Sequence, residues 1–268
     1  MLVRSTPHLS RPVWAGPALA ARYGKPGGSP PVGESWEIWR ENLLSDGRML
    51  GDVVDFPLLI KLISTEAVLS VQVHPDDATA RLHGAPSGKA EAWVVLDAEP
   101  DAQVALGLRR SVSRRDLRDM ALSGAIEAEL AWFPVGAGDV IDVPCGTIHA
   151  IGKGVTLYEV QQPADITWRL YDWGRGRELH LNDALEVAKL GPALGPTRPT
   201  GRMIDGPLFV VEEAREGDSL GHGWRAVTCV AGALSVRGEH LGMGQSALVP
   251  PGWTEVRGGG RGLWAFPG

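Results

Sequence analysis

Short apolar runs broken by turn-forming residues set the strongest limit on what this chain can become. FPLLIKLI, LSVQV, AWVVLD and DVIDVP are each about one strand long, and 35 Gly and 20 Pro are spread between such runs. Apolar stretches of this length bounded by Gly and Pro read as many short strands joined by tight turns, the pattern of a β-sandwich or barrel. Two departures are helical. Ser113 and Asp116 form a capping pair ahead of Leu117, Met120 and Ala121 at helical spacing, which predicts a helical insertion over about residues 113–130. Asn182 is a suitable N-cap for a second short helix that carries Leu185 and Ala188 toward a core before Gly191 and Pro192 end it.

An internal similarity adds to this. The stretch GDVIDVPCGT from Gly138 resembles GQSALVPPGW from Gly244: a glycine turn, an apolar strand, then a Pro-x-Gly turn. Two related barrel halves are the expected result. In that alignment His149 falls opposite Glu255, and the second copy has no match for the strand that carries His74, so chemistry is expected in the first half alone. The expected organisation is a catalytic domain over 1–190, a linker over 191–205 that includes GPALGPTRPTG, and a C-terminal β domain over 206–268 without a metal site.

Composition narrows the function classes. A net charge of −6 argues against nucleic acid as the main partner, and any anionic ligand would need a local basic pocket. Cys145 and Cys229 are the two cysteines, with no C-x-x-C spacing, so neither a disulfide framework nor a thiolate cage is expected; a reducing cytoplasm fits. The N-terminal apolar stretch is interrupted by Pro, Gly and Arg, unlike a secretion signal, and no apolar run approaches the ~20 residues that cross a bilayer. The reading is a soluble protein without a membrane partner.

The polar residues that interrupt the strands carry the chemistry. In LSVQVHPDD, strand alternation sends Ser70, Gln72 and His74 to one face and Leu69, Val71 and Val73 to the other. In GKAEAWVVL the same alternation groups Lys89, Glu91 and Trp93. If both strands line one barrel interior, His149, just after the turn in PCGTIHAI, completes a set. Two neutral imidazoles, a carboxylate and an amide oxygen suit a borderline divalent ion such as zinc and leave a position for water or a substrate oxygen. The segment EVQQPADITWRLYDW holds more polar residues than a barrel strand needs, with Glu159 a candidate general base and Arg169 a candidate for holding negative charge. His8, His83, His180, His222 and His240 stand outside any such pattern and read as ordinary core or surface residues.

Together QVHPDD, GKAEAW, PCGTIHAI and ITWRLYDW, with Trp14-Ala-Gly16 and the GESWE segment at Gly33–Glu37, resemble the motifs of type I mannose-6-phosphate isomerases of the short bacterial form. The resemblance covers roughly residues 10–190 through these motifs. It implies a mainly β fold of the cupin superfamily: a jelly-roll barrel with a small helical insertion and a second, degenerate cupin-like domain. It also implies one zinc ion per chain, and interconversion of mannose 6-phosphate and fructose 6-phosphate. Carried over motif by motif, the ligands would be Gln72, His74, Glu91 and His149. Arg169 and Lys89 would be active-site cations, Glu159 the acid/base carboxylate and Ser70 a phosphate contact. Where the family has Arg-Pro-Trp-Gly, this chain has Arg11-Pro-Val-Trp-Ala-Gly, and it is too short for the extra helical domain of fungal and animal members. Monomer and homodimer both remain open.

Two other functions use the same residues. Two histidines and a carboxylate also form the facial triad of a non-haem iron oxygenase, and a sugar-phosphate-binding cupin without turnover would need the pocket but not the acid/base set. The basic residues beside the triad favour a phosphosugar. A nucleotide site at GKAE lacks the glycine spacing of a phosphate loop.

Overall fold

The computed structural model describes residues 1–217, 219–220, 223–252 and 254–268; His222, and Trp253 of the repeated motif, lie outside the described residues. The first eleven strands are β1 (His8–Ser10), β2 (Glu34–Ile38), β3 (Leu59–Ser64), β4 (Val71–Val73), β5 (Glu91–Ala98), β6 (Gln103–Leu108), β7 (Leu130–Pro134), β8 (Val140–Val143), β9 (His149–Ile151), β10 (Val155–Gln161) and β11 (Trp168–Tyr171). They form two antiparallel sheets, in the orders β1-β2-β3-β10-β5-β8 and β11-β4-β9-β6-β7. The short strands follow from the turn spacing, and the fold is mainly β, as the sequence implies.

Period-two alternation sorts the side chains into layers. From β3, β5 and β10, the residues Ile60, Leu62, Ala92, Val94, Tyr158 and Val160 face away from the barrel into one core. Their neighbours Ile63, Trp93, Val95, Val155 and Leu157 meet Val104, Leu106 and Ile151 from the opposite sheet in the barrel interior. The outer face of the smaller sheet, with Val71, Val73, Ala105, Ile148, Ala150 and Leu170, packs on Leu117, Ala121, Ala184 and Leu185 of the helices. Each Val, Leu or Ile among them contributes about 1.5–3 kcal/mol when removed from water and each Ala less, so a one-residue slip that turns a polar row outward is strongly disfavoured.

The helical insertion is present. Helices α1 (Ala18–Arg22) and α2 (Asp77–Leu82) precede α3 (Arg114–Ser123) and α4 (Ile126–Glu129). Ser113 caps α3 in a reciprocal box with Asp116. Helix α5 (Leu181–Val187) differs from expectation: its N-cap is His180, with Asn182 inside the first turn, because the Asn182 side chain accepts from Arg118 on α3 at 2.9 Å instead of capping. Its predicted core contacts Leu185 and Ala188 are buried.

Nine further strands, β12 (Ile204–Asp205), β13 (Phe209–Ala214), β14 (Ser219–Leu220), β15 (Arg225–Ala231), β16 (Ala233–Val236), β17 (Glu239–Gly242), β18 (Ser246–Val249), β19 (Thr254–Arg257) and β20 (Arg261–Pro267), make two more sheets, β12-β13-β20-β15-β18 and β14-β19-β16-β17. Val211, Ala226, Leu248, Leu263 and Ala265 of the first of these pack in the same core as the outer face of β3, β5 and β10. The repeated motif holds corresponding places: β8 and β18 each end a sheet, and Gly138 and Gly244 before them both have left-handed φ, 93° and 82°. Among the described residues, no helix is long and apolar enough to cross a membrane.

Candidate active site

The barrel interior changes character along its length. At one end the inward rows are apolar; at the other the same rows deliver Lys61 from β3, Gln72 from β4, Glu91 from β5, His149 from β9, Glu159 from β10 and Arg169 from β11. Register explains the convergence: Gln72 pairs with His149 across β4 and β9 and with Arg169 across β4 and β11, while Glu159 pairs with Lys61 on one side and Trp93 on the other. His74 follows β4 directly. The segment after it is held against the start of β5, where Gly88 donates to Asp77 at 2.8 Å and Lys89 to the Pro75 carbonyl. A Cβ at Gly88 would lie 2.7 Å from the Pro75 carbonyl oxygen, so this approach needs glycine.

His74, Glu91 and His149 are fully buried, and their ligand atoms lie within 4.8 Å of one another. Glu91 Oε2 is 3.3 Å from His74 Nε2, and Oε1 is 3.3 Å from His149 Nε2. Each imidazole uses its other nitrogen to donate to a backbone carbonyl, His74 Nδ1 to Ile166 and His149 Nδ1 to Thr147, both at 2.9 Å. That fixes the tautomer: in the neutral rings both Nε2 atoms carry lone pairs aimed at a carboxylate. Burial and the Lys89 charge push the His74 pKa down to about 3, and burial also lowers that of His149, so no proton bridges the gap near neutral pH. Burial disfavours the Glu91 carboxylate, but Lys89 at 3.3 Å and the imidazoles hold its pKa well below the usual range. Lone pair facing lone pair leaves His74 Nε2 and Glu91 Oε1 without a donor and Glu91 Oε2 with only the Lys89 ion pair, a cost of about 1–3 kcal/mol per unsatisfied atom that a cation between them would relieve. The donor set fits a divalent ion.

Gln72 presents its amide nitrogen 3.1 Å from His149 Nε2, and its oxygen accepts from Ser70 Oγ at 3.3 Å. Half a turn of the amide exchanges the two and aims the oxygen at the cluster. Leu69 departs from the expected alternation: it packs in the barrel core, apart from Val71 and Val73, because β4 begins only at Val71.

A cavity of about 280 Å³ opens beside the cluster, lined by Ser70, Gln72, Lys89, Glu159 and Arg169, all singled out from the sequence. Glu159 Oε2 accepts from Trp93 Nε1 at 3.0 Å and Oε1 lies 3.2 Å from Lys61 Nζ. Burial first, and the nearby Glu91 charge second, raise the Glu159 pKa, with Lys61 acting the other way. Burial opposes the Lys61 ammonium, but Glu159 and Glu34 more than offset it and hold its pKa above the ordinary lysine value. Arg169 gives Nη1 to the Glu178 carbonyl at 2.8 Å, and its buried Nε has no partner.

Lys61, Glu34, Asp165 and Arg177 also line this cavity and were missed in the sequence. A signal existed for Lys61, a charge in the middle of the apolar run LLIKLI. Of the other histidines, His180 accepts from the Arg169 backbone and His8 and His83 pack edge-on against Trp36 and Trp168.

A jelly-roll barrel whose inward strands deliver two imidazoles and a carboxylate to one buried point is a cupin of the metal-binding type. The family model for the phosphomannose isomerase type I catalytic domain matches residues 32–92. Relatives extend the match over most of the chain: it belongs to the type I mannose-6-phosphate isomerase family. The mannose-6-phosphate isomerase of Streptococcus mutans is 32% identical over 238 residues, 76% of this chain and 75% of that protein. One from Bacillus subtilis is 34% identical over 214 residues, 69% of this chain and 67% of that protein. The solved mannose 6-phosphate isomerase of Bacillus subtilis superposes with a TM-score of 0.84 at 26% identity, covering 98% of this chain and 99% of that one. That from Salmonella typhimurium, at 14% identity, shares the fold with a TM-score of 0.77 and 99% coverage of both chains.

Proposed function

We propose that this protein is a zinc-dependent isomerase that interconverts mannose 6-phosphate and fructose 6-phosphate. One observation carries the reading: a buried carboxylate with both oxygens facing imidazole lone pairs lies beside a cavity that holds Lys61, Lys89, Arg169 and Arg177 around Glu159. His74, Glu91 and His149 would hold the ion, with Gln72 as a fourth ligand once its oxygen faces inward. When bound, zinc would supply Lewis-acid polarisation of the sugar oxygens at C1 and C2.

The remaining work falls to the chain itself. Aldose and ketose interconvert when a proton moves between C1 and C2 through an enediol, so one group must take and return it. Glu159 is suited to this: burial raises its proton affinity while Lys61 opposes the rise, and Trp93 fixes one oxygen so that the carboxylate holds its direction. Lys89 and Arg169 hold the negative charge of substrate, and the otherwise dry barrel strengthens each contact. Ser70, at the cavity wall, is a neutral donor for a phosphate oxygen. Four basic side chains against the three carboxylates Glu34, Glu159 and Asp165 make a charged, polar cavity that suits a phosphosugar better than dioxygen and an apolar substrate.

The pH profile tests the base. A carboxylate base works only when deprotonated, and the Glu159 pKa is raised, so kcat/KM should fall on acidification at a pH above the ordinary glutamate value of about 4.3. Lys61→Met removes the charge that opposes the rise, and the acid limb should move up by a further ~1 unit or more. An acid limb at the ordinary value that Lys61→Met leaves in place would separate Glu159 from the reaction.

A further inference from the structure

The loop after β11 has a feature that its role as a connection does not require. Trp173 has φ 54°, the left-handed region, where a bulky side chain is a true outlier. Gly174 and Gly176 follow with φ 71° and 76°, so glycine was available for the turn and tryptophan stands at the strained position.

What the indole does there is specific. Its Nε1 donates to the Leu69 carbonyl at 2.6 Å, and Arg175 Nη2 donates to the Val68 carbonyl at 2.7 Å. These two carbonyls are the lead-in to β4, a strand of three residues that pairs with β9 through Gln72 and His149. The loop is itself pinned. Asp172, 3% exposed, accepts from Arg177 at 2.8 and 2.5 Å, and its carbonyl accepts from the Arg175 backbone at 3.0 Å. The indole packs against Tyr171 at 5.4 Å and Trp132 at 6.3 Å between ring centroids.

We infer that Trp173 is a positioning residue for the metal centre: its indole N–H, held by a strained backbone, sets where β4 begins and so where Gln72 and His74 point. Strain in a backbone survives where surrounding contacts over-determine it, and it tends to mark such places. β4 pairs with β11 at three positions and with β9 at one, and the clamp on its two leading carbonyls adds to that register from the loop that follows β11. Groups that orient metal ligands from outside commonly matter 10–100-fold for affinity or activity.

The inference rests on the proposed metal site, and the test separates the two. Trp173→Phe keeps an aromatic ring in the loop and loses the N–H together with part of the indole's packing, which the Trp132→Phe control and the metal-free melting temperature account for. Zinc affinity of the purified protein is measured by competition with a chromogenic chelator, beside kcat, KM and the melting temperature of the metal-free protein. Trp173→Phe should weaken zinc binding about 10-fold or more and lower kcat at limiting zinc, with excess zinc restoring much of it and KM little changed. Trp132→Phe, which alters the ring stack and leaves the Leu69 carbonyl bonded, should keep wild-type affinity. Arg175→Met, which frees the Val68 carbonyl, should weaken zinc in the same direction and carries the test if Trp173→Phe does not fold. Wild-type zinc affinity in the folded Trp173→Phe protein, or in Arg175→Met in its place, would overturn the inference, as would an equal loss in Trp132→Phe. A wild-type protein that binds no zinc would instead refute the metal reading beneath it.

Discussion

Glu159→Gln should lower kcat for mannose 6-phosphate by about 10²–10⁴-fold while one zinc per chain is retained. The substitution is nearly isosteric, and its amide oxygen can still accept from Trp93 Nε1, which now reaches Glu159 at 3.0 Å. What is lost is a group able to take a proton from carbon. The amide nitrogen would face Lys61, leaving that ammonium with Glu34, 3.9 Å away, as its partner. Breaking a buried pair from one side costs about 3–5 kcal/mol, so a lower melting temperature should accompany the kinetic loss. Zinc content is the control that assigns the loss to proton transfer. Turnover within about threefold of wild type, with a normal acid limb, would take Glu159 out of the base role.

Glu91→Gln should have a comparable effect by another route. Glu91 supplies the negative charge that the two imidazole lone pairs lack, and both of its oxygens face the cluster at 3.3 Å. An amide in its place offers one oxygen and one N–H, and that N–H would donate to an imidazole Nε2 and block it as a ligand. Zinc stoichiometry should drop from one toward zero, with kcat/KM falling about 10³-fold, or roughly 4 kcal/mol of transition-state stabilisation. An independent readout is thermal. Zinc that binds only the folded wild type should raise its melting temperature, by linkage, and that rise should vanish in the variant. Zinc-dependent stabilisation equal to wild type in Glu91→Gln would place the ion elsewhere.

Much of this was legible from side-chain period. His74, Glu91 and His149 stand out because they break apolar strands on the inward beat, and alternation alone assigns Lys89, Glu91 and Trp93 to one face, where the structure has them. Such a reading depends only on neighbours along one strand. Residues whose role comes from how distant strands meet were harder. Lys61 reads as one charge in an apolar run until β10 is laid beside β3 and sets Glu159 opposite it. Glu34 is the first residue of β2, where alternation has only begun, and Asp165 and Arg177 sit in loops, where no period says which way a side chain points.

Local propensity also yielded to packing. Asn182 is a better cap by type than His180, yet tertiary contact with Arg118 draws its side chain into the first turn of α5. Leu69 belongs by alternation with Val71 and Val73, but the strand starts after it, and Trp173 ties its carbonyl down instead. The backbone carbonyls of Ile166 and Thr147 that set the histidine tautomers leave no mark in the sequence, since any residue supplies one.

The most direct measurement is isomerisation of mannose 6-phosphate to fructose 6-phosphate by the purified protein, assayed as isolated, after removal of metal by a chelator, and after zinc is returned. The account predicts activity that is lost with the metal and recovered at about one zinc per chain. No conversion by folded protein carrying its full complement of zinc would contradict it.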